Sequence, residues 1–280
     1  MRVGIVHPGA MGSSLGAALV GNSHDVGWAS VDRSDATRTR ANADGLVDAG
    51  SLDALLAGSD NLISICPPAA ATTVARQVAS RRFDGRYLDA NAVSPSTART
   101  ISEIVTAGGA TFVDGGIVGP PARHRARTVL YLSGPTSDCI DVASWFDGSP
   151  LATHLVDGPA GAASAVKMAF AAWTKGTSAL LLAIRALAEI EGVTDDLAHA
   201  WAHLTPDLPA RLLGAVDGTV PKAWRFVGEM NEISTTFTDA GLPGGFHRAA
   251  AEIYAELGAL RDRESVDLAE VMALLAVGVD

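Results

Sequence analysis

A lone lysine, Lys167, stands early in an otherwise apolar run, Gly158-Pro159-Ala160-Gly161-Ala162-Ala163-Ser164-Ala165-Val166-Lys167-Met168. Taking an ammonium out of water is costly, so such a lysine either snorkels its charge to solvent or lines a polar cavity. The helical pattern alone favours snorkelling. In a cavity the same amine would exchange protons with a substrate, which is what hydride chemistry at a carbonyl or imine needs.

A second group of residues could hold phosphate. The first apolar run ends in His7-Pro8-Gly9-Ala10-Met11-Gly12, followed by Ser13-Ser14-Leu15-Gly16 and an apolar helix. Glycines at a strand-to-helix turn let the backbone approach a pyrophosphate, whose charge the helix N-terminus favours. The strict fingerprint has glycine where this chain has His7, and a glycine turn needed only for packing is the alternative. The next run, Asp25 to Ser30, leads into Val31-Asp32-Arg33-Ser34, where the adenosine ribose of a dinucleotide is read. Arg33 with Ser34 could hold a 2'-phosphate by charge-assisted bonds, whereas an acid would accept from a free 2'-hydroxyl. Asp32 keeps both open; the expectation is NADP, with NAD second, unless Arg33 and Arg38 are only surface charges.

Other patterns carry less. His199 and His203 have the i,i+4 spacing of a metal pair, but no HExxH glutamate accompanies them and no metal is expected. Glu229, Glu232, Thr236 and Phe237 share adjoining parts of one helical face, which is either a set of substrate contacts or a solvated surface. The run Arg123 to Arg127 is the only dense basic cluster, a solvated loop or an anion site.

Composition bounds these readings. The chain has 280 residues, 48% hydrophobic and 19% charged, enough for a large core in one or two domains. A net charge of -10 argues against a nucleic-acid partner, which needs a basic surface to release counterions. Cys66 and Cys139 give neither a disulfide framework nor metal-ligand spacing. The opening MRVGIVHPG has no secretory pattern, and the most apolar stretch, Ser178 to Ile190, is broken by Arg185 and Glu189. The expectation is a cytoplasmic protein without a membrane partner.

The elements that must position these residues follow from periodicity. Strands are expected at Arg2 to His7, Asp25 to Ser30, Asn61 to Cys66, Arg86 to Asn91, Thr111 to Val118, Val129 to Ser133 and Ala152 to Val156. Helical patterns lie between them, as at Ala10 to Val20, Ala69 to Ser80 and Pro95 to Thr106. This alternation predicts an α/β fold, a doubly wound Rossmann-type sheet over residues 1–157. Strand patterns then stop. Residues 158–280 are expected to form an all-α domain for substrate and dimerisation, joined by a helix from Gly161 to Glu191 about 45 Å long. Gly176 in mid-helix costs about 1 kcal/mol, which close helix packing would explain. Shorter helices are expected near 195–203, 207–216, 222–240, 245–261 and 265–277.

The motifs, taken in order, resemble the beta-hydroxyacid dehydrogenase superfamily, which includes 3-hydroxyisobutyrate dehydrogenases, 6-phosphogluconate dehydrogenases and imine reductases. They are HPGAMG at 7 to 12, ISICPP at 63 to 68, DANAVSP at 89 to 95, DGGIVGPP at 114 to 121 and GAASAVKM at 161 to 168. The stretch GEMNEISTTFTDAGLPGGFHRAAAEIY is similar to a 6-phosphogluconate dehydrogenase-like branch, so the likeness covers nearly the whole chain. It implies that Gly9, Ala10, Met11 and Gly12 hold the pyrophosphate, that Cys66, Pro67, Pro68 and Asn91 line the path from adenosine to nicotinamide ribose, and that Lys167 gives or takes the proton. Beside Arg33 and Ser34, Ser30 is counted among the residues reading the ribose.

Departures from the family concern the substrate. Val118-Gly119-Pro120 stands where hydroxyacid dehydrogenases have Ser-Gly-Gly, Ala171 where they have asparagine, and Gly228-Glu229 where they have a lysine-aspartate pair. Val118, Gly119, Pro120, Ala171, Glu229, Glu232 and His247 are therefore the candidate substrate contacts, with Glu229, Glu232 and His247 offered by the helices of a partner in a homodimer. The lost donors point away from 3-hydroxy acids and towards a less polar ketone, alcohol, imine or amine, unless Arg123, His124 or Arg125 replace them. The leading expectation is an NADP-dependent oxidoreductase moving a hydride to or from a small carbonyl/alcohol or imine/amine substrate. The alternatives are a catalytically lapsed nicotinamide-binding sensor or partner protein, and a flavoprotein.

Overall fold

The computed structural model describes residues 1–125 and 127–277; Ala126, inside the basic run, and residues 278–280 lie outside the described residues. Two compact units are present, Met1–Met168 and Ala169–Asp280.

The first unit alternates strands and helices: β1 (Arg2–Ile5), α1 (Ala10–Gly21), β2 (Asp25–Ala29), α2 (Asp35–Ala43), β3 (Val47–Gly50), α3 (Leu52–Ala57), β4 (Asn61–Ser64), α4 (Pro68–Ser80), β5 (Arg86–Asp89), α5 (Pro95–Ala107), β6 (Thr111–Val118), β7 (Thr128–Ser133), α6 (Thr136–Ser144) and β8 (Leu151–Leu155). They build one eight-stranded sheet in the order β3-β2-β1-β4-β5-β6-β7-β8. Strand order reverses between β1 and β4, and the crevice outside the carboxyl ends of strands at such a point is where open α/β sheets take ligands. Both faces are covered. Val3 and Ile5 of β1 pack with Leu15, Leu19 and Trp28 on one face, while Val6 packs with Leu62, Val74 and Tyr87 on the other. Ser34, Ser51 and Ser94 cap α2, α3 and α5 by accepting the N–H groups of Thr37, Ala54 and Thr97, and Pro68 and Pro95 occupy the first turns of α4 and α5.

Two features differ from the strands expected. β3 is an eighth strand, held at the sheet edge by parallel pairing to β2. β7 runs antiparallel to β6, because residues 119–127 between them are too few for the crossover of about a dozen or more that a parallel return needs.

Helix α7 (Ala162–Ile190) begins in the first unit and runs on into the second, which continues with α8 (Thr194–Leu204), α9 (Leu208–Thr219), α10 (Ala223–Asp239), α11 (Gly245–Glu256) and α12 (Leu268–Val277). α10 and α11 pack through Phe226 against Tyr254 and Phe237 against His247, ring centroids 5.5 Å and 4.3 Å apart. A Cβ on Gly176 would lie 3.3 Å from Phe246 and 3.6 Å from His247, so glycine there permits close approach of α7 and α11. No described helix is long and apolar enough to cross a membrane.

Candidate active site

The three glycines after β1 do different work. A Cβ on Gly9 would meet nothing within 4 Å, so that backbone faces open space at the N-terminus of α1. On Gly12 it would sit 2.5 Å from the His7 carbonyl oxygen, and on Gly16 2.8 Å from Leu46 and 3.0 Å from Ile5. Gly12 and Gly16 thus press α1 onto the sheet, and Gly9 leaves the approach clear for an anion. Ala10 and Met11 are half-buried in the same turn, and the Met11 carbonyl accepts from the Ser14 hydroxyl at 2.7 Å.

Beyond β2, Ser30 is buried and its backbone N–H donates to the Gly50 carbonyl at 2.8 Å. Asp32 adopts a φ of 61°, which turns the chain so that half-buried Arg33 comes back with its N–H on the Ser30 carbonyl at 3.2 Å. Ser34 is exposed and caps α2. Arg38 is committed elsewhere, donating to the Ser30 carbonyl at 2.8 Å and lying 3.6 Å from Asp48.

The ends of β4 and β5 are tied by Asn91. Its side-chain oxygen accepts the Cys66 N–H at 2.6 Å, its amide donates to the Ser64 hydroxyl at 3.1 Å, and its own N–H donates to Asp89 at 2.9 Å. Pro67 and Pro68 then start α4. Burial pushes the Cys66 thiol up to about 12, with Asp89 adding to the shift, so Cys66 is not a thiolate nucleophile. Fully buried Asp89 is raised to about 7, by burial first and, against the hydrogen bonds from Asn91, by the Asp114 charge.

Lys167 is placed by contacts that no local pattern announces. The Asp114 carboxylate on β6 accepts the backbone N–H groups of Gly161 (2.9 Å) and Ser164 (3.0 Å) and the hydroxyls of Ser164 (2.6 Å) and Ser133 (2.9 Å). The Ser133 hydroxyl in turn accepts the Ala163 N–H at 2.9 Å. These bonds satisfy first-turn donors of α7 that no residue within the helix can reach. A Cβ on Gly116 would fall 2.4 Å from the Ala163 carbonyl oxygen and 3.1 Å from the Lys167 Cβ, so the glycine lets the helix lie directly on β6. Half-buried Lys167 therefore stands beside the carboxyl-terminal half of β6.

Of the candidate substrate residues, Val118 is half-buried, while Gly119, at φ 123°, and Pro120 are exposed where β6 ends. In the basic run beyond them two arginines have partners within the fold. Arg123 makes two bonds to Asp44, at 2.6 and 2.7 Å, and Arg125 donates to the Gly148 carbonyl at 2.6 Å. In the second unit Ala171 is buried, Glu232 is half-buried and Glu229 forms an ion pair with Lys175. The Lys175 ammonium also lies 4.3 Å from the Phe226 ring centre. His247 is 5% exposed, and burial lowers its pKa. Sequence reading missed Lys175, whose signal was its place eight residues after Lys167 in the same apolar helix. It also missed Asp114, Ser133 and Asp89.

Comparison with known proteins decides the family. Residues 2–149, more than half of the chain, match the NAD binding domain of 6-phosphogluconate dehydrogenase. The chain belongs to this family. It is an NAD(P)-dependent oxidoreductase of the dehydrogenase/reductase kind. Residues 188–257 match a domain of unknown function, DUF1932. An uncharacterized 28.5 kDa protein of Methanothermus fervidus is 28% identical over 197 residues, 70% of this chain and 74% of that one. Two solved structures share the fold across nearly their full lengths. The Mycobacterium tuberculosis 3-hydroxyisobutyrate dehydrogenase with L-serine has a TM-score of 0.71 at 20% identity, covering 98% of each chain. The Aspergillus terreus reductive aminase with NADPH and ethyl levulinate has a TM-score of 0.59 at 19% identity, covering 97% of this chain and 98% of the other.

Proposed function

We propose that this family member is an NADP-dependent dehydrogenase or reductase that works on a small carbonyl/alcohol or imine/amine pair, with Lys167 as proton donor and acceptor. The observation that carries this reading is the seating of Lys167 on Gly116, at the same carboxyl edge of the sheet as the Gly9 turn, Arg33 and Asn91. The open face at Gly9 and the buried polar atoms of His7 and Arg33 suit a phosphate-bearing dinucleotide. When bound, the nicotinamide supplies or accepts the hydride. Gly9 to Gly12 hold its pyrophosphate, Arg33 and Ser34 its adenosine end, and Cys66, Pro67, Pro68 and Asn91 the path towards the reacting ring. In the reducing direction the Lys167 ammonium gives its proton to the carbonyl oxygen or imine nitrogen and is left as a neutral amine; in the oxidising direction the amine takes that proton back.

Val118, Gly119, Pro120, Ala171, Glu229, Glu232 and His247 are the proposed substrate contacts. Val118 offers no hydroxyl and Pro120 no N–H, and Arg123 and Arg125 are spent on other partners, which favours a substrate without a carboxylate at that position. We also propose that the active form pairs two copies of this chain. Trp173, Leu180 and Leu187 recur seven residues apart along α7, with Phe170 one turn before them, and all four are exposed, Trp173 by 64% and Leu187 by 58%, the pattern of a helix seam that another apolar face would cover. Light scattering at micromolar concentration should return a dimer.

A screen following NADPH absorbance across carbonyl and imine compounds tests the reading, with 3-hydroxyisobutyrate expected to be a poor substrate. Lys167→Ala should bind NADPH as the native protein does and turn over no substrate. Undiminished turnover in that variant would overturn the assignment, and nicotinamide binding without turnover on any compound would favour the sensor.

A further inference from the structure

His7 stands where the dinucleotide fingerprint has its first glycine, and three observations bring it to the adenosine side of the cleft. The first is register. Ile5 pairs with Trp28 on the last rung of the parallel ladder of β1 and β2, and His7 and Ser30 each follow two residues later as the chain leaves the same edge of the sheet. The turn after β2 folds back onto that same residue through the bond from the Arg33 N–H to the Ser30 carbonyl.

The second is a pair of buried polar atoms. His7 Nδ1 and Arg33 Nε are both sequestered from solvent without a hydrogen-bond partner among the described residues. Leaving one such group unpaired costs about 1–3 kcal/mol, so a ligand that satisfied both would be favoured by that amount. Burial, and then the Arg33 charge, lower the imidazole to about 4. His7 is thus neutral at neutral pH, offers one N–H, and does not repel the guanidinium.

The third is the commitment of the neighbouring cations. Arg38 is held by Ser30 and Asp48, and Arg40 donates to the Pro8 carbonyl at 3.4 Å. A donor imidazole beside a guanidinium calls for an anion with several acceptor oxygens. A ribose hydroxyl is neutral and would take only ordinary hydrogen bonds from the two, whereas a phosphate monoester brings negative charge and three terminal oxygens and would take charge-assisted ones.

We propose that His7 is a specificity-determining residue that reads the adenosine 2'-phosphate of NADP together with Arg33. The proposal rests on the NADP reading above and adds to it a contact from the strand-to-helix turn itself, at a position where a glycine would offer none.

Calorimetric titration with adenosine 2',5'-bisphosphate and with 5'-AMP isolates the 2'-phosphate, with circular dichroism reporting that each variant is folded. Native protein should prefer the bisphosphate by about tenfold or more, as charge-assisted hydrogen bonds predict. His7→Ala should lose most of that preference, as should Arg33→Ala, while 5'-AMP affinity changes little. If native protein and Arg33→Ala behave as expected but His7→Ala keeps the full preference, the role of His7 is overturned and the NADP reading stands. If native protein binds the two nucleotides equally, the NADP reading itself fails and takes this proposal with it. Should His7→Ala not fold, imidazole ¹⁵N resonances of native protein decide: the His7 ring nitrogens should move with the bisphosphate and not with 5'-AMP, and no movement overturns the contact.

Discussion

Asp114 holds Ser164 twice, through the backbone N–H at 3.0 Å and the hydroxyl at 2.6 Å, and so fixes the first turn of α7 to strand β6. The same carboxylate takes the Gly161 N–H and the Ser133 hydroxyl. Asp114→Ala would leave four buried donors without their acceptor, and hydrogen bonds to a charged group contribute about 1.5–3 kcal/mol each. A loss of about 3 kcal/mol or more in urea unfolding is the expected result. Asp114→Asn, which keeps one carbonyl oxygen, should lose less; equal losses would mean that the charge and its geometry matter little.

Gly116→Ala tests the seat of Lys167 with a single methyl group. The added Cβ would lie 2.4 Å from the Ala163 carbonyl oxygen, a main-chain atom that cannot rotate away, so the start of α7 must shift. A catalytic group displaced by about 1 Å can cost about a hundredfold in rate. We expect turnover to fall by at least about tenfold with nucleotide affinity nearly unchanged. A variant with native turnover would show that the contact does not govern the position of Lys167.

Asp89 sets a pH dependence of stability. Its carboxyl is raised from 3.8 to about 7 in the fold, so between these values the folded state holds a proton that the unfolded chain has released. Its contribution therefore worsens as pH rises from about 4 to about 7 and is level above that. Asp89→Asn removes the buried charge and keeps an oxygen for the Asn91 N–H. The variant should melt higher than native protein at pH 8 and by a smaller margin at pH 5. A margin independent of pH would contradict this assignment.

The parts of the site legible in the sequence are those written locally. Gly9 and Gly12 sit three residues apart at one turn, Pro67 and Pro68 start one helix, and Lys167 stands out from its apolar neighbours. β3 escaped because Val-Asp-Ala-Gly has a single β-branched residue and takes its strand form from pairing with β2. Asp114 looked like one more polar residue in a strand, since its partners Ser133 and Ser164 lie 19 and 50 residues further along. Arg123, the first residue of the basic run, has its counter-charge in Asp44, 79 residues before it. Sequence spacing does not encode such pairs, and the fold alone brings them together.

Lys175 and Glu229 form a largely buried ion pair. Their side chains are 17% and 8% exposed, so each has given up most of its hydration, and Lys175 also lies over the Phe226 ring. Breaking a buried pair by removing one partner typically costs about 3–5 kcal/mol, because the remaining buried charge loses its counter-charge. Replacing both with apolar residues of similar volume is often neutral or better. We therefore expect Lys175→Met and Glu229→Leu each to be strongly destabilised and the double variant to recover most of the loss. Tyr254, whose hydroxyl donates to the Lys175 carbonyl at 2.7 Å, keeps its acceptor in every variant because that acceptor is backbone. Unfolding free energies from urea titration complete the double-mutant cycle. Additive single effects would mean that the two charges are not energetically coupled, whereas a double variant near native stability that has lost turnover would assign the pair to function rather than to the fold.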